Sequence, residues 1–183
     1  MDALWGDLKI PDADFDISSL HSALDRRRID RGLSWNALAR EVNREGERHD
    51  VHPISASTLS GLQRQRIGVE ADGVLQMLLW LDRTPESFVP GHPGATHPDA
   101  LLPQPSRSNV LRFDVPLIYS KLETQRLSKR LKWPEVAVEI GGFCNAASLR
   151  NMGRRQRTAF PHVMRLARWL RCPAAALTRL SPV

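Results

Sequence analysis

Cysteine is scarce in this 183-residue chain, with Cys144 and Cys172 alone. Two thiols cannot build the disulfide framework of a small secreted scaffold. Lysine is scarce too: 4 of the 26 basic residues are Lys and the other 22 are Arg. No run approaches the roughly 18 apolar residues of a membrane span. Met1–Asp16 is acidic and has no apolar signal core, so a cytoplasmic protein with no membrane partner is expected. Metal-site spacings are missing. There is no Cys-x-x-Cys and no His-Glu-x-x-His, and His49, Asp50, His52, His92 and His97 do not form a zinc-ligand pattern. Nor is there a phosphate loop, a dinucleotide fingerprint or a nucleophile elbow. The expectation is a non-enzyme with no catalytic residue, no metal and no cofactor.

Acid is scarce in one half only. Residues 96–183 hold 15 Lys+Arg against 5 Asp+Glu, a net of +10, whereas residues 1–95 hold 11 against 15, a net of −4. A GC-rich coding sequence explains an Arg-rich chain but not basic residues gathered in one half. That asymmetry points to a polyanion met by the second half. Arginine suits this role because its planar fork grips phosphates and base edges. The remaining composition, 42% apolar and 25% charged, is that of an ordinary globular protein.

The chain repeats itself at an offset of 98 residues. Across 15–42 and 113–140, without a gap, 9 of 28 positions are identical, among them Phe15/Phe113, Arg28/Arg126, Trp35/Trp133, Ala39/Ala137 and Glu41/Glu139. The similarity resumes after length changes. Ala56, Thr58, Leu59 and Leu62 face Ala146, Ser148, Leu149 and Met152; Val74, Trp80 and Leu81 face Val163, Trp169 and Leu170. This divides the chain into an acidic arm (1–14), a first domain (15–89), a linker (90–112) and a second domain (113–183). The linker carries five prolines and two glycines. Some 22 flexible residues reach about 25 Å, or about 68 Å as polyproline. That spans successive DNA half-sites about 34–36 Å apart.

Each copy reads as all-α. Ile17, Leu20 and Leu24, like Val115, Ile118 and Leu122, fall on one helical face. Ser34 is placed to cap a second helix over 35–42, and Pro134 to sit in the first turn of its counterpart. Ser55 and Asn145 are N-cap residues for a short third helix. Fourth helices span about 72–81 and 161–170, with short turns at 85–88 and 173–180. No strand pattern stands out.

The second helix, a turn and the short third helix, Leu33–Val42 followed by Ser55–Ser60, resemble the helix-turn-helix of Cro-type (Xre-like) DNA-binding proteins. So does the matched stretch of the second copy. Small Ala39 and Ala137 allow close helix packing; Leu59/Leu149 and Leu62/Met152 anchor the third helix. The resemblance implies two tandem five-helix domains whose third helices enter the major groove of double-stranded DNA. It departs from the family in three places. The first copy carries an insertion over 43–54, which either lengthens the second helix or forms a separate contact loop. Trp35 and Trp133 stand where many members have a phosphate-binding glutamine. Gln63 and Gly153 replace the glutamate partner of Arg28 and Arg126, which turns those arginines to another partner or to phosphate.

The outward residues on this reading are Ser55, Ser57 and Ser60 in the first copy, and Asn145, Ala147, Arg150 and Asn151 in the second. Arg forks onto guanine and Asn onto adenine, each good pair discriminating by about 1–3 kcal/mol. Arg64 and Arg66, and Arg154, Arg155 and Arg157, follow at positions suited to phosphates. The second copy is thus expected to supply most affinity and base reading.

The implied function is a sequence-specific regulator, most simply a repressor of the bacterial or phage kind. It acts as a monomeric pseudo-dimer on an asymmetric site, with a homodimer as the other arrangement. An alternative is a protein-interaction adaptor, antitoxin-like or a phage-encoded inhibitor, whose acidic arm and first domain bind a protein. A third reading is a non-specific nucleoid or RNA binder. Trp5, Leu8 and Ile10 form an apolar cluster in that arm, packing on the first copy or meeting a partner. The tryptophans at matched positions read as core, and Cys144 as a partly buried thiol.

Overall fold

The computed structural model describes residues 13–44, 53–64, 70–106, 108–154 and 158–182. These residues form eight α-helices and one small antiparallel sheet. The first half contains α1 (Ile17–Asp30), α2 (Trp35–Arg44), α3 (Ala56–Ser60) and α4 (Ala71–Leu81). The second contains β1 (Asn109–Phe113), α5 (Val115–Ser128), α6 (Trp133–Glu139), α7 (Ala146–Arg150), α8 (Phe160–Leu170) and β2 (Thr178–Pro182). The fold is therefore largely helical but not all-α. β1 pairs with β2 from Asn109↔Pro182 to Phe113↔Thr178, so part of the expected turn over 173–180 is a strand.

The helices start where the sequence supplies acceptors for free N–H groups. Asp16 accepts from the N–H of Ser18 and Ser19, and Asp114 from that of Leu117. The Ser19 hydroxyl and N–H hold the Asp16 carboxyl below the usual carboxylate range. Ser34 caps α2 through the N–H of Ala37. The helices also end alike. Gly32 and Arg130 take left-handed φ of 63° and 56° after α1 and α5, and Asp82 and Arg171 take 54° and 51° after α4 and α8.

Matched side chains repeat the same contacts. Arg28 spans the Asp25 carboxylate and the Leu33 carbonyl, and Arg126 spans Glu123 and Leu131. Trp80 Nε1 donates to Glu41, and Trp169 Nε1 to Glu139. Arg28 lies over Trp35 and Arg126 over Trp133. The N–H of Asp16 reaches the Phe88 carbonyl, and that of Asp114 the Leu177 carbonyl.

The described residues of segment 90–112, expected as a linker, are folded. Pro93 and Pro98 open short 3-10 turns, where a missing N–H is harmless. Ala100, Leu102, Val110 and Leu111 are buried. Its apolar residues found a core to join, so the estimated reach of 25–68 Å does not describe it. The core is one continuous cluster running through both halves, from Phe15 and Leu24 to Phe160 and Leu177.

The halves meet through equivalent surfaces. Glu70 and Ala159, which immediately precede α4 and α8, form an antiparallel bridge with each other. α4 packs on α8, and the turn Pro85–Phe88 packs on its counterpart Ala174–Leu177. The residues ahead of the first helix cross over in both directions. Asp14 pairs with Arg165 of α8, and the N–H of Phe113 donates to Asp72 of α4 at 3.0 Å. Reciprocal contact between matched residues is the mark of an approximate two-fold axis.

Candidate nucleic-acid interface

The short helices α3 and α7 are held from beneath. Leu59, Leu62 and Leu149 are fully buried and Met152 nearly so. Each helix is capped by the residue before it. Ser55 Oγ accepts from the Thr58 N–H at 3.1 Å, and Asn145 Oδ1 from the Ser148 N–H at 2.8 Å. With the anchors on the inner side, the opposite side chains face out. Ser55, Ser57, Ser60 and Arg64 are exposed in the first half; Asn145, Ala147, Arg150, Asn151 and Arg154 are exposed in the second. The structure thus gathers each set on one outer face. Arg66, Arg155 and Arg157 lie outside the described residues.

The two faces differ in chemistry. Ser55 Oγ lies 2.8 Å from Ser57 Oγ and 2.9 Å from Thr58 Oγ1, so the hydroxyls of the first face satisfy one another. Among the described residues, Arg150 and Arg154 have no side-chain partner, leaving both guanidinium groups open on the second face.

Arg28 and Arg126 have acceptors three residues earlier, in Asp25 and Glu123. Glu123 is held below the usual carboxylate range, chiefly by its hydrogen bond from Arg126. The vacated positions were refilled. Gln63 Nε2 lies 2.7 Å from His21 Nδ1. In the second half Tyr119 replaces His21, and a Cβ on Gly153 would stand 3.0 Å from its ring. Large and small residues have been exchanged as a pair. Trp35 and Trp133 stack on those same rings at 5.5 and 5.9 Å, so both are packing residues.

Of the two readings of the insertion in the first half, a longer second helix is the one seen: α2 runs to Arg44 while α6 stops at Glu139. Asn43 then ties off the insertion, donating to the Ile54 carbonyl and accepting its N–H, both at 2.8 Å; residues 45–52 lie outside the described set, with His49, Asp50 and His52. One feature escaped sequence reasoning, a groove of about 480 Å³ beside α7, lined by Phe143, Cys144, Asn145, Ser148 and His162 among others. Phe143 stacks on His162 at 4.3 Å, and the Arg165 guanidinium lies over the Phe143 ring at 5.6 Å. His162 and Arg165 are three apart on one face of α8, the signal that would have flagged them. The matched residues of α4 are Gly73 and Gln76, so the first half lacks this stack.

The last two residues of the acidic arm, Ala13 and Asp14, reach α8 of the second half. Arg165 donates to both oxygens of Asp14, and Arg168 to the Ala13 carbonyl. Residues 1–12 lie outside the described set, Trp5, Leu8 and Ile10 included. Among the described residues, no group of three His, Cys, Asp or Glu is placed to hold a metal, and no helix is long and apolar enough to cross a membrane. Compared with family models, curated proteins and solved structures, the chain matches none.

Proposed function

We propose that this chain is a sequence-specific double-stranded DNA-binding regulator of the Cro-type helix-turn-helix kind, with two unequal reading units in one polypeptide. The observation that carries this reading is the pair of matched short helices, α3 and α7. Each is capped, anchored and polar on its outer face, and an approximate internal two-fold relates them. The net of +10 over 96–183 supports a polyanionic partner. A two-fold presents its reading helices to half-sites in inverted orientation. Because the faces differ, the target is an imperfect inverted repeat. The half-site under α7 is read by Asn145, Arg150 and Asn151, and the other, more weakly, by Ser55, Ser57 and Ser60. Occupying a promoter with such a complex is sufficient for repression.

The test is selection from a random duplex pool with the full chain, followed by affinities at two salt concentrations. The full chain is required because the core is shared between the halves. Enrichment of one bipartite inverted motif is the expected result. Failure to enrich any motif, with only salt-sensitive binding to every duplex or none at all, rejects the reading and turns the search to a protein partner.

Two substitutions separate reading from holding. Arg150→Ala is expected to cost about 1–3 kcal/mol on the selected site and to relax one base position. Arg154→Ala is expected to weaken specific and random duplexes alike and to lower the salt slope by about one. Equal losses on both duplexes for both variants would remove Arg150 from base reading.

A further inference from the structure

Glu86 sits where the two halves touch, on the turn Pro85–Phe88, and is 1% exposed. Its Oε1 accepts the N–H of Ala174 at 2.8 Å, across the interface. Its Oε2 is buried and has no hydrogen-bond partner. Beside it is a cavity of about 20 Å³, lined by Asp14, His92, Arg165, Arg168 and Cys172 among others. That is room for roughly one water molecule. The matched residue of the second half is Ala175, itself buried, so the turn packs without a carboxylate. One carboxyl group, present on one side of the axis only, thus occupies a place where an apolar residue serves the other copy.

The charged groups around it do not neutralise it. Arg165 is engaged by Asp14, and Arg168 lies 4.0 Å from the same carboxylate. Burial lowers the pKa of His92, which keeps that ring uncharged at neutral pH. Asp16, at the start of α1, is spent on capping its helix. Cys172 is a further lining residue of the cavity. The opposing turn Ala174–Leu177 and the following turn Pro93–Thr96 carry no titratable residue.

We propose that Glu86 is a pH-operated latch between the two halves. Protonated, it closes the contact between the turns; ionised, it draws water into the adjoining cavity and loosens that contact. Burial raises its pKa from 4.5 to about 7, with the Ala174 N–H offsetting part of the effect. The sign follows from linkage. A carboxyl whose folded pKa lies above its unfolded value contributes fully below about pH 4.5, and its contribution is lost as pH rises to about 7. The latch therefore opens across the neutral range, whatever the chain binds.

The test follows the Ala174 amide in the full chain. Between pH 5 and 8.5, after correction for intrinsic exchange, its hydrogen-exchange protection should fall by about 10²-fold. Glu86→Gln should abolish the fall, and His92→Gln should leave it in place. A carbon NMR titration of the wild-type Glu86 carboxyl gives a second readout that needs no variant. A midpoint near 7, shared by the Ala174 amide shift, supports the latch. A midpoint near 4.5, flat protection across the range, or an unchanged fall in Glu86→Gln overturns it.

Discussion

Inserting five base pairs between the two half-sites of the selected duplex should reduce affinity by 10² or more, to that of the better half-site alone. Five base pairs are about half a turn of a duplex that repeats every 10–10.5 bp, so one half-site rotates to the far side. A tandem protein on a flexible linker follows such a rotation, because its second domain still searches at about millimolar effective concentration. This chain has no slack of that kind. Ala100, Leu102, Val110 and Leu111 pin the connecting segment into the core. The Glu70–Ala159 bridge and the crossed contacts of Asp14 and Asp72 hold the halves in one arrangement. Reversing one half-site, to make a direct repeat, should cost as much as the insertion. Titration of these three duplexes, and of the better half-site alone, by fluorescence anisotropy at one salt concentration measures all of this. Affinities within threefold of one another would mean that the halves move independently on DNA, and would sink the inverted, fixed-spacing arrangement.

The contrast between linker and interface shows which physical signals are local. Ser34, Ser55 and Asn145 are legible as caps because a cap is decided within three residues. The outward sets on α3 and α7 are legible for the same reason. Once Leu59 and Leu149 are assigned to the core, helical geometry assigns their neighbours to solvent. The strands are not legible in this way. Asn109–Phe113 buries two consecutive residues, Val110 and Leu111, so period-two alternation is absent, and its partner lies at the far end of the half. Prolines misled in the same stretch: they mark where turns begin, and only tertiary contact decides whether the turns pack. The two-fold axis was beyond reach altogether. It rests on contacts such as Asp14–Arg165, 151 residues apart, and on Glu86, one carboxylate in an ordinary-looking turn.

The axis makes its own demand on stability. Phe160 is fully buried at the start of α8, with its ring 4.6 Å from Phe15 of the first half and 5.8 Å from Phe113 of the second. The matched residue is Ala71, also buried. One bulky ring therefore fills the space on the axis that two small residues would leave empty and two large ones would overfill. Phe160→Ala should cost about 3–5 kcal/mol, the range for truncating a buried aromatic. That is a large share of the about 5–15 kcal/mol that typically holds a domain folded. At about 2–4 °C per kcal/mol for a chain of this size, the melting midpoint should drop by roughly 10 °C. Because Phe160 touches both halves, unfolding should stay a single transition, with tryptophan fluorescence and far-UV dichroism superimposed. Two separated transitions would mean that each half has a core of its own. The two-fold supplies a rescue as well. By symmetry a ring at position 71 meets the same two phenylalanines, so Ala71→Phe should be destabilising alone, by overpacking, yet restore stability to Phe160→Ala. Urea titration of the two single variants and the double variant gives the coupling. Losses that simply add would show that the space around Phe160 is not shared across the axis, and the reciprocal packing of the halves would have to be redrawn.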